Sequence, residues 1–168
     1  MANITRVFLE VLPNVKLIGR RYTDADRDAS GSFGSKWGGW FENGCFESLE
    51  KCDRVRRVSD DYFGAMRDGN AGFEYWIGML AEPGSGVPEG FEAIDIAGGP
   101  LGVCYIYGRA DSAELFGRDV HDACVAAWAA QGWRVPDGTW IFERCNCPRF
   151  TEPDETGCVI LDYCALLG

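Results

Sequence analysis

Histidine is almost missing from this chain of 168 residues: there is one, His121, flanked by Asp119 and Asp122. A Ser-His-Asp or Cys-His nucleophilic machine therefore lacks support, and His121 reads as an exposed residue on the polar face of a helix. Positive charge is also scarce. With 16 Lys and Arg against 26 Asp and Glu, the net charge is -10. Nucleic-acid affinity is built from clustered cations that displace counterions, so direct binding to DNA or RNA is not expected. The local basic run Arg54-Val55-Arg56-Arg57 reads as a solvated helix terminus. Long apolar runs are absent as well. No stretch approaches the roughly 18 apolar residues that span a bilayer, and no charged and apolar leader opens the chain. A cytoplasmic protein without membrane contact is expected. The eight cysteines do not fall into paired zinc or disulfide spacings, so most thiols are expected to be reduced. Cys145-Asn146-Cys147 is one local pair, but no histidine and no second close pair completes a four-ligand set. Neither a metal nor another cofactor is expected.

What the chain does have is core material. It is 46% hydrophobic and 13% aromatic, enough to fill one domain over residues 1–168. From Ile4 to Tyr22 the apolar positions Val7, Leu9, Val11, Val15 and Leu17 alternate, which predicts a strand kinked at Pro13-Asn14. A polar loop then leads to Ser35, a plausible N-cap. Trp37, Trp40, Phe41, Cys45, Leu49 and Cys52 recur at steps of three and four, predicting one helix over 36–52. Two strands follow, Tyr62–Arg67 and Phe73–Leu80, joined by a Gly- and Asn-bearing hairpin. The first half is β-α-β-β.

Beyond the Pro- and Gly-rich connector 81–90, the pattern repeats. A strand over Phe91–Ile96 and Leu101–Tyr107 is interrupted at Gly98-Gly99-Pro100. Asp111 with Glu114 has capping-box character, and Leu115, Phe116, Val120, Ala123, Cys124, Ala127 and Trp128 form a helical stripe ending near Gly132. Strands over Trp140–Asn146 and Cys158–Leu166 complete the unit. The expected fold class is α+β: duplicated β-α-β-β units, spanning 4–81 and 91–167, form an antiparallel sheet with two helices on one face and a central groove.

Glu143 is the most telling residue, a carboxylate set among Trp140, Ile141 and Phe142 in a predicted strand. Either it faces water, paired with a neighbouring cation, or it is held inside at a cost of several kcal/mol that a cation, a donor or protonation relieves. Alternation places Ile141 and Cys145 on its face and Trp140 and Phe142 on the other. Tyr75 and Tyr105 are strand tyrosines of the two repeats, explained as well by core packing as by ligand binding; a buried phenol needs a partner, which a groove offers. Trp37 and Trp40 are helix neighbours, one able to cover the sheet while the other faces a groove. Trp128 reads as core, and Asp162, inside the last apolar strand, is the other embedded acid to watch.

Tyr75-Trp76-Ile77-Gly78-Met79, then Val87-Pro88-Glu89-Gly90-Phe91-Glu92 leading into Ile94-Asp95-Ile96, then Trp128 and Phe142-Glu143, resemble the GyrI-like small-molecule-binding superfamily. That superfamily includes effector-binding domains of multidrug-responsive transcription regulators. The resemblance implies a pseudo-twofold fold whose groove captures hydrophobic, aromatic or cationic small molecules, for sensing or sequestration, with Glu143 meeting their charge. Ligand-binding residues implied or suggested are Glu143, Tyr75, Tyr105, Trp37, Trp40 and Cys145. The family usually carries a tyrosine where Cys145 stands, so one wall of the pocket is missing or supplied from elsewhere. Met1 lies within a few residues of the first strand, so a stand-alone member without a DNA-reading head is expected. Two other readings stay open. The Trp37–Gly44 segment is loosely similar to members that hydrolyse cyclopropane-bearing DNA-alkylating natural products, in which case Glu143 is the general acid or base. An acidic surface also suits a protein partner, in the manner of gyrase-inhibitory members.

Overall fold

The computed structural model describes residues 2–168. In chain order its main elements are β1 (Asn3–Leu12), β2 (Val15–Tyr22), α1 (Gly34–Glu42), α2 (Cys45–Lys51), β3 (Tyr62–Gly69), β4 (Gly72–Ala81), β5 (Glu92–Ile96), β6 (Gly99–Arg109), α3 (Arg118–Ala130), β7 (Ile141–Cys145) and β8 (Cys158–Leu166). The class is α+β with antiparallel pairing, as the alternating segments predict. The chain forms two compact units: unit I is Asn14–Ala97, and unit II joins the segment ending at Pro13 to Gly98–Gly168. Among the described residues, no helix is long and apolar enough to cross a membrane.

Unit I is a sheet of order β3-β4-β2-β5. β4 is buried on both faces from Glu74 to Ala81, which is why its sequence runs apolar almost without alternation. On one face Ile18, Tyr75, Ile77 and Met79 pack against Trp40 of α1 and Phe46 and Leu49 of α2. Each such side chain contributes about 1.5–3 kcal/mol of burial, so packing outweighs the low helix propensity of three glycines. The single helix expected over 36–52 is two helices. Gly44 turns the chain between them at φ 66°, a left-handed conformation that glycine adopts without a Cβ clash. Ser35 lies inside α1 rather than capping it. The cap function falls to Asp28, whose carboxylate accepts Ser30 Oγ at 2.6 Å and the backbone N–H groups of Ser32 and Ser35 at 3.1 and 3.4 Å. Those donors hold its carboxyl far below the usual range.

Away from the helices, Glu74 bridges Arg21 and Arg67, each at 2.8 Å. Burial alone would raise its pKa, but the hydrogen bonds from Arg21 and Arg67 and their charges win, leaving it below the ordinary 4.5. A carboxyl depressed in the folded state adds stability above its unfolded pKa, and that contribution is lost as pH falls through the folded value. The urea midpoint is therefore expected to hold above about pH 5 and drop below pH 4.5, with Glu74→Gln flattening part of the drop. Identical pH slopes in both proteins would show that the bridge contributes nothing.

Unit II is a sheet of order β1-β6-β8-β7. α3 buries Val120, Cys124 and Trp128 on one stripe. The Trp128 indole lies against Gly102, where an added Cβ would come within 3.2 Å of its ring, so the smallest residue makes room for the largest. The helix start differs from expectation. Leu115 belongs to a separate 3-10 turn, Ala113–Leu115, and α3 begins only after Gly117. Asp111 does not cap it, because Arg109 holds that carboxylate at 2.9 and 2.7 Å, while Glu114 accepts the Arg109 backbone N–H at 2.7 Å.

The two interrupted strands differ most from their expected form. At Pro13-Asn14 and at Ala97-Gly98 the chain does not kink within a strand; it leaves one unit for the other. β1 pairs with β6, and β5 pairs with β2. Each β-α-β-β stretch is thus completed by a strand from the opposite half of the sequence. Proline brings no N–H to a ladder at the first crossing. At the second, a Cβ on Gly98 would fall 2.1 Å from the Leu12 carbonyl oxygen, so only glycine passes.

Candidate functional site

In unit II, β7 is a short strand buried along its whole length, and Glu143 sits at its middle with 8% of its surface exposed. Its cross-strand partner is Tyr163 of β8. Tyr163 is fixed from two sides. Its hydroxyl meets His121 Nδ1 of α3 at 2.8 Å, and its ring lies parallel to Trp128 with centroids 6.3 Å apart. Burial first, and then the Glu143 carboxylate, push the phenol's pKa well up, so it stays protonated and neutral. Ile141 and Cys145 share Glu143's side of β7 by alternation, whereas Trp140 and Phe142 stack on each other at 6.3 Å.

Position 145 is a cysteine, yet a phenol stands beside Glu143, delivered by β8 instead of β7. Neither Tyr163 nor His121 was identified from the sequence. His121 is half-buried, not a free polar-face residue. The signal was there, since His121, Cys124 and Trp128 are spaced three and four apart on the buried stripe of α3.

Tyr105 does not join Glu143. In β6 it pairs with Asp162, while its neighbour Cys104 pairs with Tyr163, so Tyr105 lies on the opposite face of the sheet. There Phe8 meets it edge-on at 5.1 Å, and the Arg149 guanidinium lies 4.7 Å from its centroid. That face carries a charged network. Asp162 has no exposed surface and accepts Arg144 Nε at 2.8 Å and Arg149 at 2.6 Å, and Arg144 also binds both oxygens of Glu10 at 2.9 and 2.8 Å. Burial opposes the Arg144 charge, but Glu10 and Asp162 more than restore it, so its pKa is raised. This tetrad is a structural feature whose four charges cancel.

In unit I the remaining sequence-selected residues separate into core and surface. Trp40 is core, 1% exposed, its indole N–H donating to Tyr22 Oη at 2.9 Å. Trp37 is half-buried and donates to Tyr75 Oη at 2.8 Å, while Phe33 stacks on Tyr75 at 4.2 Å. The Trp37–Tyr75 pair is thereby oriented. Beside it runs a wall of rings: Phe41, with 57% of its surface exposed, Phe46, and Tyr62, whose hydroxyl donates to Glu50 at 3.0 Å. Such a surface offers stacking faces with a carboxylate at its edge, the chemistry that attracts planar or ring-bearing cations.

No protein-family model matches the chain, and no curated protein matches it either. Solved structures do. SAV2435 in its complex with tetraphenylphosphonium superposes with a TM-score of 0.71 at 14% identity, covering 98% of this chain and 94% of that one. The C-terminal domain of EcmrR gives 0.59 at 7% identity, covering 97% of both chains. An integron cassette protein from the mobile metagenome of Vibrio cholerae gives 0.55 at 11% identity, with 99% of both chains covered. The fold of this chain is the fold of these proteins.

Proposed function

We propose that this chain binds a lipophilic organic cation, with the Glu143 carboxylate as the charge that selects it. The observation that carries the reading is a carboxylate held almost out of water beside an oriented, neutral phenol, in a fold shared with a protein solved in complex with tetraphenylphosphonium. At such a position the attraction to a cation is screened far less than in bulk water. Small ions gain from that attraction too, yet they surrender a large hydration energy on entry. A cation whose charge is spread beneath phenyl groups surrenders much less, so the balance favours it. Tyr163, staying protonated, adds a ring and a hydroxyl without a second negative charge. The rings of Trp37, Phe41 and Tyr62 in unit I supply stacking area of their own.

The test uses two molecules of the same shape and opposite charge, tetraphenylphosphonium and tetraphenylborate, titrated calorimetrically. Wild type is expected to prefer the phosphonium. Glu143→Gln should bind it about tenfold or more weakly and lose the charge preference, with little change in melting temperature. A Gln variant that binds the phosphonium as tightly as wild type removes the proposed role. Trp37→Ala probes the ring surface of unit I separately, with an expected loss of binding for both molecules alike.

A further inference from the structure

We infer that β1 is a dimerisation strand, which pairs antiparallel with β1 of a second copy of this chain about a twofold axis at Phe8. Among the described residues β1 pairs with β6 alone, so its other edge offers a row of backbone donors and acceptors over ten residues. Proteins ordinarily blunt such an edge by shortening it or charging it. The corresponding strand of unit I, β5, shows both devices: it has five residues and carries Glu92 and Asp95. β1 has neither. On the side of its sheet covered by α3 it presents Val7, Leu9 and Val11, with Leu9 47% and Val11 84% exposed. Its one irregularity, a bulge between Ile4 and Arg6, leaves the run from Arg6 to Leu12 regular.

Self-complementarity selects a second copy as the occupant. An antiparallel pair centred on Phe8 sets Arg6 opposite the partner's Glu10, and Glu10 opposite the partner's Arg6, on one face. The same register sets Val7 against the partner's Leu9 on the other face, so opposite charges and apolar side chains both match. Glu10 already accepts Arg144 through both oxygens, and each oxygen retains acceptor capacity for another guanidinium. Moving the axis one residue along, to Leu9, slips the register by two and would put Arg6 against Leu12 and Glu10 against Phe8, losing every charge pair.

The cavities point the same way. A cavity of about 850 Å³ lies at the start of β1, its wall joining Ile4, Ile106 and Phe116 to the charged Glu114, Arg118 and Asp119. In the Phe8-centred register the partner's Val11 comes level with Thr5, the residue that follows Ile4 of the cavity wall. The most exposed large apolar side chain of one copy is thus brought beside the apolar part of that cavity in the other, twice by symmetry.

Sedimentation over about 1–200 µM is expected to show a reversible dimer, favoured by added salt because two chains of net charge -10 repel. The Leu9→Lys/Val11→Lys double variant should dissociate at least tenfold more readily while melting like wild type, since both side chains are exposed. Phe8→Cys should give, on mild oxidation, a disulfide joining position 8 of two copies, identified by peptide mass under non-reducing conditions. A wild type that is monomeric throughout the range overturns the inference. So does a dimer indifferent to the double lysine variant, or the lack of a position-8 crosslink in a Phe8→Cys protein that still dimerises.

Discussion

Gly78→Ala is expected to unfold unit I, with a loss of more than about 4 kcal/mol. Gly78 in β4 and Gly19 in β2 stand directly opposite each other. A Cβ on Gly78 would lie 2.1 Å from the Ile18 carbonyl oxygen and 2.9 Å from Gly19 Cα; one on Gly19 would lie 1.9 Å from the Ile77 oxygen. All of these obstacles are backbone atoms, so no side chain can rotate out of the way. The strands must part by an ångström or more, and β4 lies between β3 and β2 with buried residues on both faces. Parting breaks ladder hydrogen bonds where water cannot replace them, at about 1–3 kcal/mol for each group left unsatisfied. Gly38→Ala makes a sharp control. Nothing lies within 4 Å of its added Cβ in α1, so that change should stabilise by up to about 1 kcal/mol through helix propensity. Circular dichroism and thermal melts separate the two, and a Gly78→Ala protein that melts like wild type would refute the close-approach argument.

Asp162→Ala should cost about 3–5 kcal/mol, lowering the melting temperature by roughly 10 °C. The fully buried carboxylate neutralises two guanidinium groups at once. Its removal strands them unequally. Arg149, with a third of its side chain exposed, can turn back towards water, whereas Arg144 is only 11% exposed and keeps Glu10 as its sole carboxylate partner in the network. The penalty is therefore that of a buried charge losing one of two counter-charges. Arg149→Ala should cost clearly less than Asp162→Ala for the same reason. Urea titration of the two variants gives the comparison directly, and an Asp162→Ala loss below about 1 kcal/mol would mean that the network carries no such burden.

Much of this architecture was legible from periodicity. The hairpin of β3 and β4, the stripe of α3 and the last strand fall within a few residues of their expected spans, because apolar spacing reports which side of an element is buried. Partners are another matter. Alternation assigned Val7 and Leu9 a common face but held no information on which strand would lie beside them, so the pairing of β1 with β6 was invisible. For the same reason Tyr105 was grouped with Glu143. Its sequence says that it alternates with Cys104, and only the ladder to β8 shows that Cys104 has the helix side. Glu143 was legible because an acid among aromatics is costly to place, and Asp162 for the same reason. Tyr163 and His121 were missed because each looks ordinary in its own element and gains meaning only from the 2.8 Å contact between them.

The exchange of β1 and β5 between sequence halves has a consequence for how such a chain could be divided. Cutting it in the connector near Gly86 would yield two fragments, each deprived of the ribbon that finishes its own sheet and each holding the ribbon that finishes the other's. Neither piece alone could close its architecture, but mixed together they could rebuild it by trading arms. A gene encoding one repeat would face the same arithmetic, and two identical products could satisfy it only as an interlocked couple.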